Sequence, residues 1–254
     1  MRPYILAENN WGTLKDQEVE LVILPWGATE AHNYHLPYGT DIFETEAITA
    51  ESARLAWEKG AKAFVLPIIP YGVNTGQLDI KGTINLDPGT QGFILDNIIE
   101  SLSGQGIYKL LIINGHGGND FKQVLRELGK NYPEMFLCTC NWFQAADREA
   151  IFEIPGDHAD ESETSLMLYL HAEMVLPLTT AGKGKSKNFS VKGLNENWAW
   201  AERKWTKVTD DTGIGDPSLA SVEKGETFFR EMVEKISNLI FDLSKMNQDE
   251  AFKS

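Results

Sequence analysis

The sequence predicts an α/β fold, a single-domain three-layer sandwich in which helices cover both faces of a mostly parallel central sheet. Four short apolar runs alternate with segments of helical periodicity, and this alternation is typical of parallel sheets. The chain has 254 residues, 42% of them hydrophobic, which is enough to bury a full core. We find no repeat, low-complexity tract or linker, so we expect one domain over residues 1–254.

The predicted strands are short and rich in aliphatic residues, as strands buried on both faces require. They cover residues 19–25, 61–69, 108–114 and 135–142. The predicted helices cover residues 42–59, 91–105, 119–130 and 161–174, with a long one over 217–246. Cys138 and Cys140 fall on one face of the fourth strand, so we expect two core thiols rather than half of a metal site.

Charge argues against nucleic acid as a partner. The chain carries 23 basic and 37 acidic residues, a net charge of −14, so a phosphate backbone would be repelled. No long apolar run is present, and the first residues do not resemble a signal peptide. We therefore expect a cytoplasmic protein that does not enter the membrane.

Three polar segments hold the candidate functional residues. They are PWGATEAHNYHLPYGTD after the first predicted strand, NGHGGND after the third, and PGDHADESETSLMLYL farther along. Ligands bind beyond the carboxyl ends of the strands in such sheets. Four of the five histidines fall at this edge, which favours a shared site. The candidates are Glu30, His32, His35, Asp41, His116, His158 and Glu163.

Each candidate also has a purely structural interpretation. Asp41 fits the N-cap of a helix that begins at Ile42, with Glu44 completing a capping box. A single histidine in a loop is usually solvated or hydrogen bonded. The glycines around His116 can serve a turn, and their spacing does not fit a dinucleotide-binding loop, which disfavours a nucleotide-dependent oxidoreductase.

Glu163 is predicted to point inward. An unpaired buried carboxylate is costly, so it should be protonated, paired with a cation, or bound to a metal. The three polar segments contain no lysine or arginine, and histidine with carboxylate is a donor set that borderline divalent metals prefer. On a helix over residues 161–174, the face of Glu163 is shared by Ala159, Leu166, Met167, Leu170 and Met174.

The number of donors favours a pair of metal ions. Three carboxylates with three or more histidines exceed what one tetrahedral zinc uses. Two cations about 3.5–4 Å apart, bridged by a carboxylate, activate a hydroxide and polarise the carbonyl that it attacks. The pattern therefore predicts a metal-activated hydrolase with a metal-bridging hydroxide as nucleophile.

The same segments resemble the creatininase (creatinine amidohydrolase) family. GATEAHNYHLPYGTD is similar to its pattern of Glu-x-His followed by His-Leu-Pro and Thr-Asp, and NGHGGN, DHADESETS and TGIGDPSLASVEKG match three further segments in the same order. The resemblance covers nearly the whole chain. It implies a sandwiched α/β sheet, two divalent ions per chain (usually zinc, sometimes manganese or iron), and a homo-oligomer, a hexamer in this family.

The resemblance also implies roles for individual residues. Glu30, Asp41 and His116 would bind one metal, and His32 and Asp41 the other, with Asp41 bridging. His158 corresponds to the family's catalytic histidine, which would donate a proton to the leaving nitrogen or orient the carbonyl.

Gly118 departs from the creatininase pattern. Creatininase has a carboxylate ligand of the second metal two residues after the glycine-flanked histidine, and here that position is Gly118. Glu163 is the expected substitute, both as a ligand and in the chemistry.

The resemblance does not name the substrate. The family includes creatininases, formamide deformylases and a peptide-processing branch. Gln77 stands where many members have a histidine, so we do not expect creatininase activity itself. We expect hydrolysis of a non-peptide or cyclic amide C–N bond in a small molecule, with a formamide deformylase or a non-catalytic metal- and ligand-binding protein as alternatives. Trp198, Trp200 and Trp205 form either a lid or a subunit contact.

Overall fold

The centre of the fold is a four-stranded parallel sheet with the strand order β2-β1-β3-β4. The structure, a computed structural model, describes residues 2–252. This sheet confirms the predicted α/β class. Its strands are β1 (Leu21–Trp26), β2 (Ala63–Val65), β3 (Lys109–Asn114) and β4 (Phe136–Asn141).

Helices connect the strands and follow the sheet. Within residues 2–252 they are α1 (Trp11–Leu14), α2 (Thr40–Glu58), α3 (Pro88–Gly104), α4 (Lys122–Asn131), α5 (Arg148–Ile151), α6 (Glu161–His171), α7 (Lys192–Asn195), α8 (Trp205–Val208) and α9 (Val222–Lys245). The five predicted helices correspond to α2, α3, α4, α6 and α9. The other four have four residues each, too short to show a helical period in the sequence.

Apolar side chains fill both faces of the sheet because successive strand residues point in opposite directions. Leu21 and Ile23 of β1 belong to a core cluster that includes one face of α9. Val22 and Leu24 belong to a second cluster that includes α3. The sheet thus lies between two layers of helices, as the sequence predicted.

Two strands differ from the expected pattern. β2 is shorter than its predicted range, and Pro67, which has no N–H to donate, follows it. β4 lies at the edge of the sheet and is only half-buried. Cys138 and Cys140 are nevertheless free thiols packed against the core, and burial raises the pKa of each to about 12. The prediction of core thiols is confirmed in part, because both side chains are half-buried and pack against the core cluster from outside it.

The capping-box interpretation of Asp41 is wrong. Helix α2 begins at Thr40, its N-cap is Gly39, and no side chain caps it. Asp41 therefore lies in the first turn, where its carboxylate is free to serve the site, and Glu44 is buried inside the fold.

No helix within residues 2–252 combines the length and the apolar character that crossing a membrane requires.

Candidate metal centre

Six of the seven sequence candidates meet at the carboxyl edge of the sheet. Three overlapping groups of donor atoms form there, and within each group the atoms lie within 4.8 Å of one another. The loop after β1, the first turn of α2, the loop after β3, and the start of α6 with the loop before it supply the side chains. The two groups that share Asp41 are Glu30, Asp41 and His116, and His32, Asp41 and Glu163.

Asp41 belongs to both groups. Its Oδ1 lies 2.9 Å from His32 Nε2, and its Oδ2 lies 3.0 Å from His116 Nδ1. Asp41 Oδ2 and His32 Nε2 are buried, yet neither has a hydrogen-bond partner. Donor atoms this close that do not bond each other are oriented as ligands of a common cation would be. These clusters are consistent with a binuclear metal site.

The two histidines are oriented by backbone carbonyls. His32 Nδ1 lies 3.1 Å from the Glu30 carbonyl oxygen, and His116 Nε2 lies 3.0 Å from that of Val73. In each ring this nitrogen donates its proton to the carbonyl, so the other nitrogen faces the cluster and is the atom that would bind a metal in exchange for its proton. Metal-binding histidines are characteristically held in this way.

The electrostatics of the cluster also favour a cation. Burial opposes the charged form of His32, but Asp41 and Glu163 outweigh it and raise its pKa to about 10. Burial raises the pKa of Glu163 to about 8, although the charge of His32 opposes this. Bulk water does not solvate these three buried carboxylates, so a proton or a metal ion must offset their charge.

Glu163 faces the cluster, with Oε2 4.0 Å from His32 Nε2 and its side chain 18% exposed. Its Oε2 accepts a hydrogen bond of 2.5 Å from the Ala159 amide, and Ala159 has a positive φ of 49°, which is unusual for this residue. The prediction of an inward carboxylate is confirmed. The expected apolar face is wrong in part, because the helix ends at His171 and Met174 is 40% exposed.

His158 approaches the cluster from the loop before α6. Its Nε2 lies 2.8 Å from the Ala31 carbonyl oxygen, and its Nδ1 lies 3.8 Å from Glu30 Oε1. Its backbone is paired with Ile214, which lies in the family-like segment 212–225. Burial, aided by the charge of His32, lowers the pKa of His158, so the ring is neutral near pH 7. Glu30, His32 and His158 also form a third group of possible ligands.

His35 is separated from the donor groups. Its Nε2 lies 2.8 Å from Thr164 Oγ1, and burial lowers its pKa to about 4. It is a buried structural histidine, the interpretation that holds for most histidines in loops.

Gly118 has no room for a side chain. A Cβ at this position would overlap the carbonyl oxygen of Val73 and the ring of His116. The chain therefore cannot place a carboxylate here without moving the very histidine that belongs to the cluster.

A cavity of about 1470 Å³ opens beside the cluster. Typical small-molecule pockets have about 300–1,000 Å³. The indole of Trp205 forms part of its wall and contacts His158 edge-on, with ring centroids 4.7 Å apart. Trp200, 85% exposed, borders it, whereas Trp198 lies over Gly193. Of the three tryptophans, Trp200 and Trp205 thus border the cavity, and Trp205 contacts a candidate catalytic residue.

Several residues around the cluster were not among the sequence candidates. The amide of Gln77 donates to Glu30 Oε2, and Arg203 pairs with Asp157 at 2.6 Å beside Trp205. Gln77 was noted only as a departure from the family. These contacts join positions far apart in the chain, so no local pattern could have revealed them.

The fold and the cluster together define a class of protein. A parallel α/β sheet with buried histidines and carboxylates at its carboxyl edge, beside an open cavity, is an arrangement that suits metal-dependent hydrolysis. A family model described as creatininase, creatinine amidohydrolase, matches residues 7–240. The chain belongs to the creatininase family.

Relatives of this chain carry out different reactions. It is 26% identical over 232 residues to the mycofactocin precursor peptide peptidase of Mycolicibacterium smegmatis, covering 87% of this chain and 85% of that protein. It is 23% identical over 252 residues to the 3-dehydro-scyllo-inosose hydrolase of Thermotoga maritima, covering 89% and 78%. Family membership thus leaves the substrate open.

Solved structures share the fold. A Bacteroides fragilis NCTC 9343 protein provisionally named creatinine amidohydrolase superimposes with a TM-score of 0.91 at 41% identity, covering 98% of this chain and 99% of that chain. A creatininase variant described as Zn-Zn type has a TM-score of 0.80 at 21% identity, covering 97% and 100%.

Proposed function

We propose that this protein is a dinuclear metal-dependent amidohydrolase that cleaves a non-peptide or cyclic amide C–N bond. The observation that carries the proposal is the carboxylate of Asp41, shared by two donor groups and lacking a hydrogen bond on Oδ2. Glu30, Asp41 and His116 would hold one ion, and His32, Asp41 and Glu163 the other. The orientation of the His32 and His116 rings, each held by a backbone carbonyl, supports this assignment.

Two divalent ions would supply Lewis acidity, lowering the pKa of a water molecule and polarising the substrate carbonyl. Imidazole nitrogen with carboxylate oxygen suits zinc, with manganese or iron as alternatives. The ligand residues would hold the ions in place, while Trp205 limits the access of bulk water to His158.

His158 would move the proton during hydrolysis. Its Nε2–H is engaged by the Ala31 carbonyl, so Nδ1 is the atom that faces the cluster and accepts a proton in the neutral ring. The same atom would return that proton to the leaving nitrogen. Glu163, partly exposed beside His32, is the second residue that we assign to the chemistry, as a ligand of the second ion.

Cavity size favours a second candidate substrate class. A cavity of about 1470 Å³ has room for more than a small lactam, and one relative is named as a peptidase. A peptide-derived amide is therefore the alternative that we keep beside cyclic amides and formamides. A metal- and ligand-binding protein without turnover is disfavoured because a neutral histidine lies beside the donor groups.

We further propose that the protein is a cytoplasmic homo-oligomer, a hexamer as the family resemblance implies, formed by single-domain chains. Family membership supports the assembly, and a net charge of −14 supports the absence of a nucleic-acid partner.

A substrate screen tests the proposed function. Protein loaded with zinc or manganese is incubated with lactams, formamides, cyclic ureas and short peptides, and the amines released are measured. Amine release by the wild type, but not by metal-loaded His158→Ala, supports the proposal. Ligand binding without release from any of these classes would favour the non-catalytic alternative.

A further inference from the structure

The backbone of Val73 supplies the carbonyl that holds the His116 ring. His116 Nε2 donates to this oxygen at 3.0 Å, and the opposite ring nitrogen, Nδ1, lies 2.8 Å from Glu30 Oε1 and 3.0 Å from Asp41 Oδ2. Gly72 also touches the ring, because a Cβ there would lie only 2.6 Å from His116 Cδ2. The position of the Val73 carbonyl therefore sets which ring nitrogen faces the cluster.

The peptide group between Val73 and Asn74 is held from its other side by Asn85. The carbonyl of this peptide accepts from His116, and its N–H, on Asn74, donates to Asn85 Oδ1 at 2.7 Å. Asn85 Nδ2 in turn donates to Asp87 Oδ1 at 2.7 Å. An N–H only donates and a carboxylate only accepts, so the orientation of the Asn85 amide is fixed at both ends.

These bonds form one continuous chain from the surface to the cluster. The chain begins at the exposed carboxylate of Asp87, passes through Asn85 and the peptide of residues 73–74, and ends at the ring of His116. Every donor in it points toward Asp87. Hydrogen bonds aligned in this way polarise one another, so the bonds of Asn85 strengthen the bond that orients His116.

We propose that Asn85 is a positioning residue for the ion that we assign to His116, because it fixes the peptide of residues 73–74 and this peptide fixes the ring. The inference rests on the proposed function, since it takes the cluster to be a metal site. Loss of an outer hydrogen-bond partner of a metal-binding histidine weakens metal binding. The other ion is assigned to His32, whose ring is held by a different carbonyl, so its affinity should not depend on Asn85.

A purely structural role is the competing explanation. Asn85 would then serve only to tie its own segment to the loop that carries Val73. Backbone contacts already join these two segments, since Gly72 and Asn85 form a parallel bridge and the Leu86 amide donates to the Gly72 carbonyl oxygen at 2.8 Å. A change in the Asn85 side chain leaves these contacts in place. If its role were only structural, the change would affect both ions alike or neither.

Two variants and a control separate these explanations. Asn85→Leu keeps a similar size but offers neither bond. The double variant Asn85→Asp with Asp87→Asn exchanges the two groups, so that the carboxylate at position 85 accepts from the Asn74 amide and the amide at position 87 donates to it. This exchange keeps the chain of bonds and the net charge. Asn195→Leu is the matched control, since Asn195 Oδ1 accepts from the Phe189 amide at 2.9 Å, a bond of the same kind elsewhere on the chain.

The readout is the affinity for zinc, measured by competition with a chromogenic chelator as metal-free protein is reloaded stepwise. We expect Asn85→Leu to weaken the binding of one ion by about fivefold to tenfold, the usual effect of one lost hydrogen bond, and to leave the other ion unchanged. The exchanged double variant and Asn195→Leu should bind zinc as the wild type does. In a His116→Ala background, Asn85→Leu should have no further effect, because the ring through which it acts is gone.

Equal weakening of both ions, or the same loss with and without the His116 ring, would overturn the inference in favour of a structural role. Unchanged zinc affinity in folded Asn85→Leu would overturn it as well. If Asn85→Leu does not fold, Asn85→Ala takes its place with the same expected result. A wild type that binds no zinc would refute the metal site itself. Turnover is not measured, so failure of this inference is distinguishable from failure of the amine-release screen.

Discussion

The Nε2 atom of His158 lies 2.8 Å from the carbonyl oxygen of Ala31, so this ring nitrogen carries the proton and donates it. The other nitrogen, Nδ1, is left to exchange protons at the cluster. Burial, aided by the charge of His32, lowers the pKa of the ring and keeps it neutral near pH 7. A neutral ring with a fixed tautomer is what proton transfer requires.

Replacing His158 with alanine should therefore affect turnover and not metal content. We expect His158→Ala to retain both ions and to lose a factor on the order of 10²–10⁴ in kcat. Elemental analysis gives the metal content, and amine release from the substrate found in the screen gives kcat.

His158 could instead be a metal ligand, because it forms a third donor group with Glu30 and His32. Loss of an ion from His158→Ala would make His158 a ligand and refute its role in proton transfer. His35→Asn is a matched control, since His35 is also buried but contacts Thr164 instead of the donor groups.

Replacing Glu163 with glutamine should remove one of the two ions. The amide keeps the volume but loses the charge that complements a cation beside His32 and Asp41. We expect one ion to remain with Glu30, Asp41 and His116, and activity to collapse. Metal analysis after dialysis, with thermal unfolding as a check of folding, measures both effects.

Gly118 provides the control for this variant. Gly118→Glu in the Glu163→Gln background should fail to restore the second ion, because a side chain there overlaps Val73 and His116. Undiminished affinity for two ions in Glu163→Gln would mean that another group completes the second donor set.

Glu44 is expected to weaken the fold as the pH rises. It is fully buried on α2, neither of its carboxylate oxygens has a partner, and burial, reinforced by Glu163, raises its pKa well above the ordinary value of 4.5. The unfolded chain releases this proton near pH 4.5, whereas the folded chain retains it to higher pH. Stability from Glu44 is therefore lost as the pH increases above about 4.5.

Glu44→Gln should remove that dependence. We expect its melting temperature, relative to the wild type, to increase between pH 5 and pH 8, reflecting a cost of about 1–3 kcal/mol for an unsatisfied buried group. Glu46→Gln on the same helix makes the same change of charge at an exposed position and should show no such trend. An equal difference at both pH values would show that Glu44 does not carry this cost.

The sequence predicted the layers of the fold because buried parallel strands and amphipathic helices leave strong patterns. It could not locate the start of α2, since the N-cap Gly39 uses no side chain. It also missed the short α8, whose Trp205 lies in the wall of the cavity.

The donor residues could be named from the sequence because they follow strand ends and match family segments. The hydrogen bonds that hold the site residues in place could not be predicted. The pairing of Gln77 with Glu30 spans 47 positions, and that of His158 with Ala31 spans 127. Such contacts depend on the packing of separate loops, which no periodicity encodes.

The most direct test of the account is the number of metal ions per chain in gently purified protein. Elemental analysis should give close to two divalent ions, and removal by a chelator should be reversed by zinc or manganese with recovery of two. A ratio near one or zero that added metal does not raise would contradict a binuclear site centred on Asp41.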